Sequence, residues 1–320
     1  MSKSKLIKHF GIKTPDNKYH LTIEYNYDDN IKKSVIEKSL QQSKLLKKQS
    51  IVSDYCYSYN LYFGGLKKGC VEITIYNYNN IYYNNKVADL VSIQSEESCN
   101  ISGNLKPGVG TLHMINTAFN VCLRMFPWLT SFKFMDTSHK NCIGNNSTTG
   151  VSLSAYSIAL YGKTWYERSF GAKVMDIDDR KKYNNYIERL NQSEYKNMPW
   201  NTFYSNFISN HGKTNLKDLI HLDIIKDTYL STKTYRDFFD LLQYKIKDKQ
   251  ELCLTLQLWV ENVIKYIFDA NISLTPVLLK WWIVESSSSS VIEFEKTGLV
   301  ILEDIKYIGG LFTYPGYKIL

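Results

Sequence analysis

The sequence has no long apolar run and no apolar stretch at its start. No segment reaches the roughly 18 uncharged residues that a membrane-crossing helix needs. Met1–Phe10 is studded with lysine where a secretory leader would carry an apolar core. A cytoplasmic chain with no membrane partner is therefore expected, and its cysteines are expected to stay reduced. The six cysteines, Cys56, Cys70, Cys99, Cys122, Cys142 and Cys253, include no CxxC or CxH pair, so no metal is expected. The abundance of Asn, Tyr, Ile and Lys fits the codon usage of an A/T-rich genome, and runs such as Asn77-Tyr78-Asn79-Asn80 are read as composition only.

What is present begins with size and charge. The chain has 320 residues, 44% of them hydrophobic, enough for one large domain or two modest ones. Its formal charge is +8, and residues 1–50 hold 11 Lys against 5 Asp/Glu. The basic excess is thus concentrated at the N-terminus, where a solvated lysine-rich face or a nucleic-acid contact would account for it.

Periodicity orders the elements. Lys18 to Asp28 alternates through Leu21, Ile23, Tyr25 and Tyr27 as a half-buried strand, and Ile31 to Lys48 reads as a helix. Three strands follow, on Tyr55 to Phe63, Val71 to Ile75 and Val87 to Gln94. Gly108-Val109-Gly110-Thr111 then opens a helix with an apolar stripe at Leu112, Ile115, Phe119, Cys122 and Phe126. A strand from Leu129 to Asp136 precedes a second helix, capped by Ser152 or Ser154 and ended by a left-handed Gly171, and a short strand starts at Lys173.

The glycines sit where the first N–H groups of a helix have no intrahelical partner and the dipole is positive, which suits an approaching phosphate. A Walker loop would need Lys and Ser/Thr where Val109 and Gly110 stand, and a dinucleotide fingerprint would need glycine at His113. The turn therefore reads either as an anion site of another kind or as a plain entry to a core helix.

The second helix ends Tyr166-Glu167-Arg168-Ser169-Phe170-Gly171-Ala172. Together with the glycine loop and the element order, this ending resembles the acetyl-CoA-dependent N-acetyltransferase superfamily (GNAT). The resemblance implies an α+β fold with a mixed, mostly antiparallel sheet flanked by helices, over residues 1–176. It also implies that a substrate amine attacks the acetyl-CoA thioester directly. Gly108, Val109, Gly110 and Thr111, with Lys106, would hold the pyrophosphate, and Tyr166 would donate a proton to the leaving thiolate. Asp89 on the preceding strand is the candidate base, with Glu96 and Glu97 as alternatives; His113 and His139 read as surface or core histidines. Departures from the family pattern, including Leu105 and Pro107 before the glycines and a long approach from Gln94, keep a non-catalytic assembly component on the same fold as the alternative.

Beyond the short strand the pattern turns helical over residues 177–285, in Asp178 to Leu190, Trp200 to Ser209, Leu216 to Leu230, Tyr235 to Lys247 and Gln250 to Phe268. The run Ser286 to Ser290 reads as a linker, and strand pattern returns at Val291 to Phe294 and Gly298 to Leu302, within a C-terminal segment 286–320. The acceptor amine has no signature in the sequence.

Overall fold

The computed structural model describes residues 3–15, 17–38, 56–64, 69–77, 86–93, 99, 109–142, 150–207, 221–268, 281–286, 300–302, 306–308 and 311–313. The protein is a mixed α/β chain with a mostly antiparallel open sheet. Among the described residues no helix is long and apolar enough to cross a membrane. The chain divides into two compact units. The first comprises Met1–Phe134, Ser169–Gly171 and Ile283–Leu320, the second Met135–Arg168 and Ala172–Trp282.

In the first unit β1 (Lys3–Lys13), β2 (Lys18–Asp28), β3 (Cys56–Gly64), β4 (Gly69–Tyr76) and β5 (Val87–Ile93) pair antiparallel in sequence order. The helix α1 covers 33–38 among the described residues. Helix α2 (Val109–Met125) then leads to β6 (Ser131–Met135), which lies parallel to β5. The sheet continues through β10 (Trp281–Glu285), and at its other end β11 (Val300–Leu302) covers only Gly11 to Lys13 of β1. A separate hairpin joins β12 (Lys306–Ile308) and β13 (Leu311–Thr313).

Alternation gives the sheet two unlike faces. Leu21, Ile23 and Tyr25 stand opposite Phe63, Leu61 and Tyr59, which stand opposite Val71, Ile73 and Ile75. All nine are buried. Helix α2 packs on this face, with Phe119 stacked on Phe132 at 4.1 Å and Phe126 against Tyr59 at 5.1 Å. The other face carries Glu24, Asn60, Thr74, Asp89 and Lys133 in one lateral row of the ladder.

Strand β1 was not expected from the sequence, because Lys8 interrupts its buried set of Leu6, Phe10 and Ile12. Lys3, Lys5 and Lys8 lie along a part of β1 that β11 leaves uncovered, where lysines discourage pairing with another chain. Lys5 also meets Glu24 at 3.0 Å. Much of the N-terminal basic excess in the described residues thus belongs to a sheet edge.

The second unit begins with the hairpin β7 (His139–Asn141) and β8 (Gly150–Ser152), followed by α3 (Leu153–Tyr161) and α4 (Trp165–Phe170). One helix was expected over these last two. The structure breaks it at Gly162, which takes the left-handed conformation at φ 68° while its N–H donates to the Ile158 carbonyl. Gly171, with φ 62°, has the left-handed form expected of it. After β9 (Lys173–Val174) come α5 (Ile177–Arg189), α6 (Trp200–Phe207), α7 (Leu222–Ser231), α8 (Tyr235–Lys245) and α9 (Lys249–Ile267). The starts of α5, α8 and α9 follow from side-chain caps: Asp176, Thr234 and Asp248 accept from N–H groups of the first turn. Phe203, Tyr229 and Trp259 stack at the centre of this unit.

The cysteines overturn the expectation of reduced thiols. Cys70 is joined to Cys99 and Cys142 to Cys253, across sequence separations of 29 and 111. That expectation rested on the compartment read from the lysine-studded first residues, a reading that says nothing of pairs that only folding brings together. Cys56 and Cys122 are buried and outside these two disulfides, Cys122 on the core stripe where it was expected.

Candidate functional site

Helix α2 starts at Val109, directly after the glycine of the turn. Val109, Gly110 and Thr111 therefore supply the N–H groups that lack intrahelical acceptors. Lys106 and Gly108 lie outside the described residues, as do Glu96 and Glu97. Gly110, Thr111, Leu112 and His113 are partly exposed, and Met114 to Cys122 are buried. His113 is held in place, since its Nδ1 lies 2.7 Å from the Tyr19 hydroxyl.

The strand before this helix is divided between two partners. Against β6 the parallel ladder spans Val87 to Asp89 opposite Ser131 to Lys133. Leu90, Ser92 and Ile93 continue β5 outside that ladder while paired with β4. At the same point a bulge intervenes: Leu90 stands opposite Ile73 and Ser92 opposite Glu72, so Val91 is the extra residue. A bulge bends and twists its strand, which separates β5 from β6 just beyond Asp89. Val91 is exposed.

Asp89 is therefore the last rung before the separation. Lys133, its partner across the parallel pair, places Nζ 3.2 Å from Oδ1. Burial raises the carboxyl above its ordinary range, and the Lys133 ammonium opposes that rise. The carboxylate is poised between a base and an ion-pair member.

Tyr166 belongs to the second unit, in the first turn of α4. The start of α4 is a capping box: the Glu167 N–H donates to Thr164 Oγ1 at 3.2 Å, and the Thr164 N–H donates to Glu167 Oε2 at 2.7 Å. The Tyr183 hydroxyl also donates to Glu167 Oε2, at 2.6 Å. Glu167, the second residue of the Tyr-Glu pair, is thus occupied in holding the turn that presents Tyr166. Tyr166 itself is 8% exposed and packs edge-on against Trp165. Burial raises its phenol well above the ordinary value and the Asp136 carboxylate adds to the rise, so the group stays protonated through the neutral range.

Asp136 was not singled out in the sequence. It is buried, and accepts from the Ser138 N–H at 3.0 Å and from the hydroxyls of Ser138 and Ser154. Ser154, one of two expected helix caps, is spent on Asp136, and Ser152 provides the cap by accepting from the Ala155 N–H. The Asp-Thr-Ser run at 136–138 is the one local sign that this network leaves. His139 lies in β7.

In the described part of the first unit β5 divides just beyond Asp89, and the Asp89–Lys133 pair lies on the sheet face opposite the one on which α2 packs. Tyr166, Asp136 and Glu167 form a separate group within the second unit. Among the described residues no group of three or more His, Cys, Asp or Glu has the arrangement to hold a metal ion. No family model, no curated protein and no solved structure matches the chain.

Proposed function

We propose that the protein is an acetyl-CoA-dependent N-acetyltransferase that acetylates an amine. The observation that carries this reading is the parallel step between β5 and β6, which ends at a bulge and is joined by helix α2, whose first residues follow Gly108 in sequence. Ligands of α/β units collect at the carboxyl ends of parallel strands, beside the N-termini of the helices that follow. Here that position combines two recognition elements. The N–H groups of Val109, Gly110 and Thr111 suit a pyrophosphate, and Lys106, three residues earlier in the sequence, is the cation assigned to it. The stretch Leu90–Ile93, outside the β6 ladder, suits strand-like pairing with the amides of an extended arm.

Acetyl-CoA supplies the acyl group as a thioester, and the residues of the chain divide the proton transfers. The amine nitrogen forms its bond to the thioester carbonyl carbon and loses a proton, which Asp89 takes. The carbon–sulfur bond then breaks and the thiolate needs a proton, the role that the family resemblance gives to Tyr166. The proton taken by Asp89 returns to solvent and the donor is reprotonated from solvent, so the cycle closes with an acetamide and free CoA. A carboxyl raised by burial is suited to accept, while burial holds the Tyr166 phenol in the protonated form that a donor starts from and makes it a weaker acid than a free tyrosine.

The test is calorimetric titration of the full chain with acetyl-CoA and with CoA. Micromolar binding, about 8 kcal/mol, is the expected outcome. A folded sample that binds neither overturns the reading.

A further inference from the structure

Four elements of the first unit converge at the end of β3. Gly64 takes φ +112° there, and a Cβ at that position would lie 3.0 Å from the Cys99 carbonyl oxygen, 3.2 Å from Cys70 Cβ and 3.2 Å from Met114 Sδ. Cys70 opens β4, Cys99 lies in the connection between β5 and α2, and Met114 is in the N-terminal part of α2. Only a residue without a side chain leaves room for this meeting, and its backbone is in a region that glycine adopts at little cost. Cys70 and Cys99 are joined by a disulfide with their Cα atoms 5.7 Å apart, and both are fully buried. The bond therefore ties the chain leading into α2 to the sheet at the level of that helix's beginning.

We infer that the Cys70–Cys99 disulfide is a redox latch on the N-terminal end of α2. Oxidised, it holds the helix start in place. Reduced, it frees Cys99 from β4 and loosens the first turns of α2. Its effect on ligand binding rests on the proposed function, which assigns the N–H groups of that helix start to a pyrophosphate. The chemistry is exchange with a dithiol reductant. One thiolate of the reductant attacks a sulfur of the disulfide, the S–S bond breaks, and the other cysteine leaves as a thiolate. The second thiol of the reductant then resolves the mixed disulfide. Two electrons and two protons pass to Cys70 and Cys99, and the reductant becomes a disulfide. Because both sulfurs are buried, attack awaits a local opening of this corner, which makes the oxidised state persistent once formed.

The second disulfide, Cys142–Cys253, lies in the other unit and serves as the control. The experiment compares the air-oxidised full chain with the Cys70→Ser/Cys99→Ser and Cys142→Ser/Cys253→Ser variants. Amide hydrogen exchange is followed at Leu112–Met114 and at Cys122–Met125, and acetyl-CoA affinity is measured on the same samples. Loss of the latch is expected to speed exchange at Leu112–Met114 by about tenfold or more, with little change at Cys122–Met125. Acetyl-CoA affinity is expected to fall by about tenfold as well. The control variant keeps wild-type exchange at Leu112–Met114. If Cys70→Ser/Cys99→Ser does not fold, the oxidised wild type is titrated with dithiothreitol, and peptide mapping of each sample relates exchange at α2 to the state of Cys70 and Cys99. Equal exchange with and without the bond overturns the latch whether or not acetyl-CoA binds, as does peptide mapping that finds the two cysteines unjoined in the oxidised chain. A protected helix start that responds to the bond in a chain that binds no acetyl-CoA sustains the latch and overturns the proposed function alone.

Discussion

The two units use polar side chains in different ways. In the second, many are consumed in ending helices and closing packing. Asp176, Thr234 and Asp248 cap helices, Glu167 completes a capping box, and Lys196 donates to the carbonyls of Tyr229 and Thr232 while lying over the Tyr229 ring. In the first, polar groups occupy one face of an open sheet and the flank of a buried helix, and Asp89 stands at a strand that loses its partner. The contrast teaches where chemistry has room: the second unit is held by its polar groups, and the first holds several in positions that stability alone does not require. Tyr166 is the exception, a residue of the second unit to which a chemical role is assigned.

The largest expected effect probes the second unit as a packed body. Phe203 is fully buried, stacked on Tyr229 at 4.1 Å and on Trp259 at 5.2 Å. Phe203→Ala is expected to cost about 3–5 kcal/mol through lost transfer energy and the cavity left behind. Urea unfolding measures it, and a loss under about 1 kcal/mol would show that this aromatic stack is not the centre of the unit.

The next effect belongs to the first unit. His20 is buried on β2, shares the Thr22 hydroxyl with His9, and is lowered to about 4 by burial, with the His9 charge adding to the shift. The fold therefore favours the neutral ring. Its stabilising contribution is fully present above the unfolded value near 6.5 and is lost as pH falls from there toward 4, by up to about 3 kcal/mol. Stability measured by denaturant at pH 7 and pH 4.5 should show this slope, and His20→Gln should flatten it. An unchanged slope in the variant would assign the acid sensitivity to other groups.

Tyr166 tests whether the division between the units is complete. Tyr166→Phe is expected to reduce acetyl transfer about 100-fold with acetyl-CoA affinity unchanged, because only the proton donor is removed. Steady-state turnover and calorimetry on one preparation measure both. Full activity would return Tyr166 to the packing of α4 and leave the second unit without a chemical part.

How much of this was legible depends on the range of the interaction. Strand Lys18–Asp28 was readable to its ends because alternation is local, and so were the stripe of α2 and the left-handed Gly171. Strand β1 was hidden because its buried row contains Lys8, an edge residue whose setting depends on what pairs beside it. The break at Gly162 was hidden because a glycine is tolerated inside helices as well as at their ends. At the candidate site, Asp89 and the glycine turn could be named from spacing, whereas Lys133 beside Asp89 and Asp136 beside Tyr166 follow from strand register and packing. Both disulfides belong to the same long-range class.

The smallest expected effect is also the sharpest test of the contrast. Asn120 lies on α2 at 1% exposure; its amide nitrogen donates to the Asn116 carbonyl, and its Oδ1 is buried without an acceptor's donor. A buried oxygen left unpaired costs about 1–3 kcal/mol, while the amide's one hydrogen bond contributes about 1 kcal/mol. Asn120→Leu removes both and adds apolar burial at similar volume, so stability should stay within about 1 kcal/mol of wild type or rise. If α2 were held as the helices of the second unit are, by polar groups that each close a contact, the same substitution would cost 2 kcal/mol or more. A neutral or stabilising result means that Asn120 is kept for something other than the fold of the isolated chain, and a large loss means that the first unit spends its buried amides as the second spends its caps.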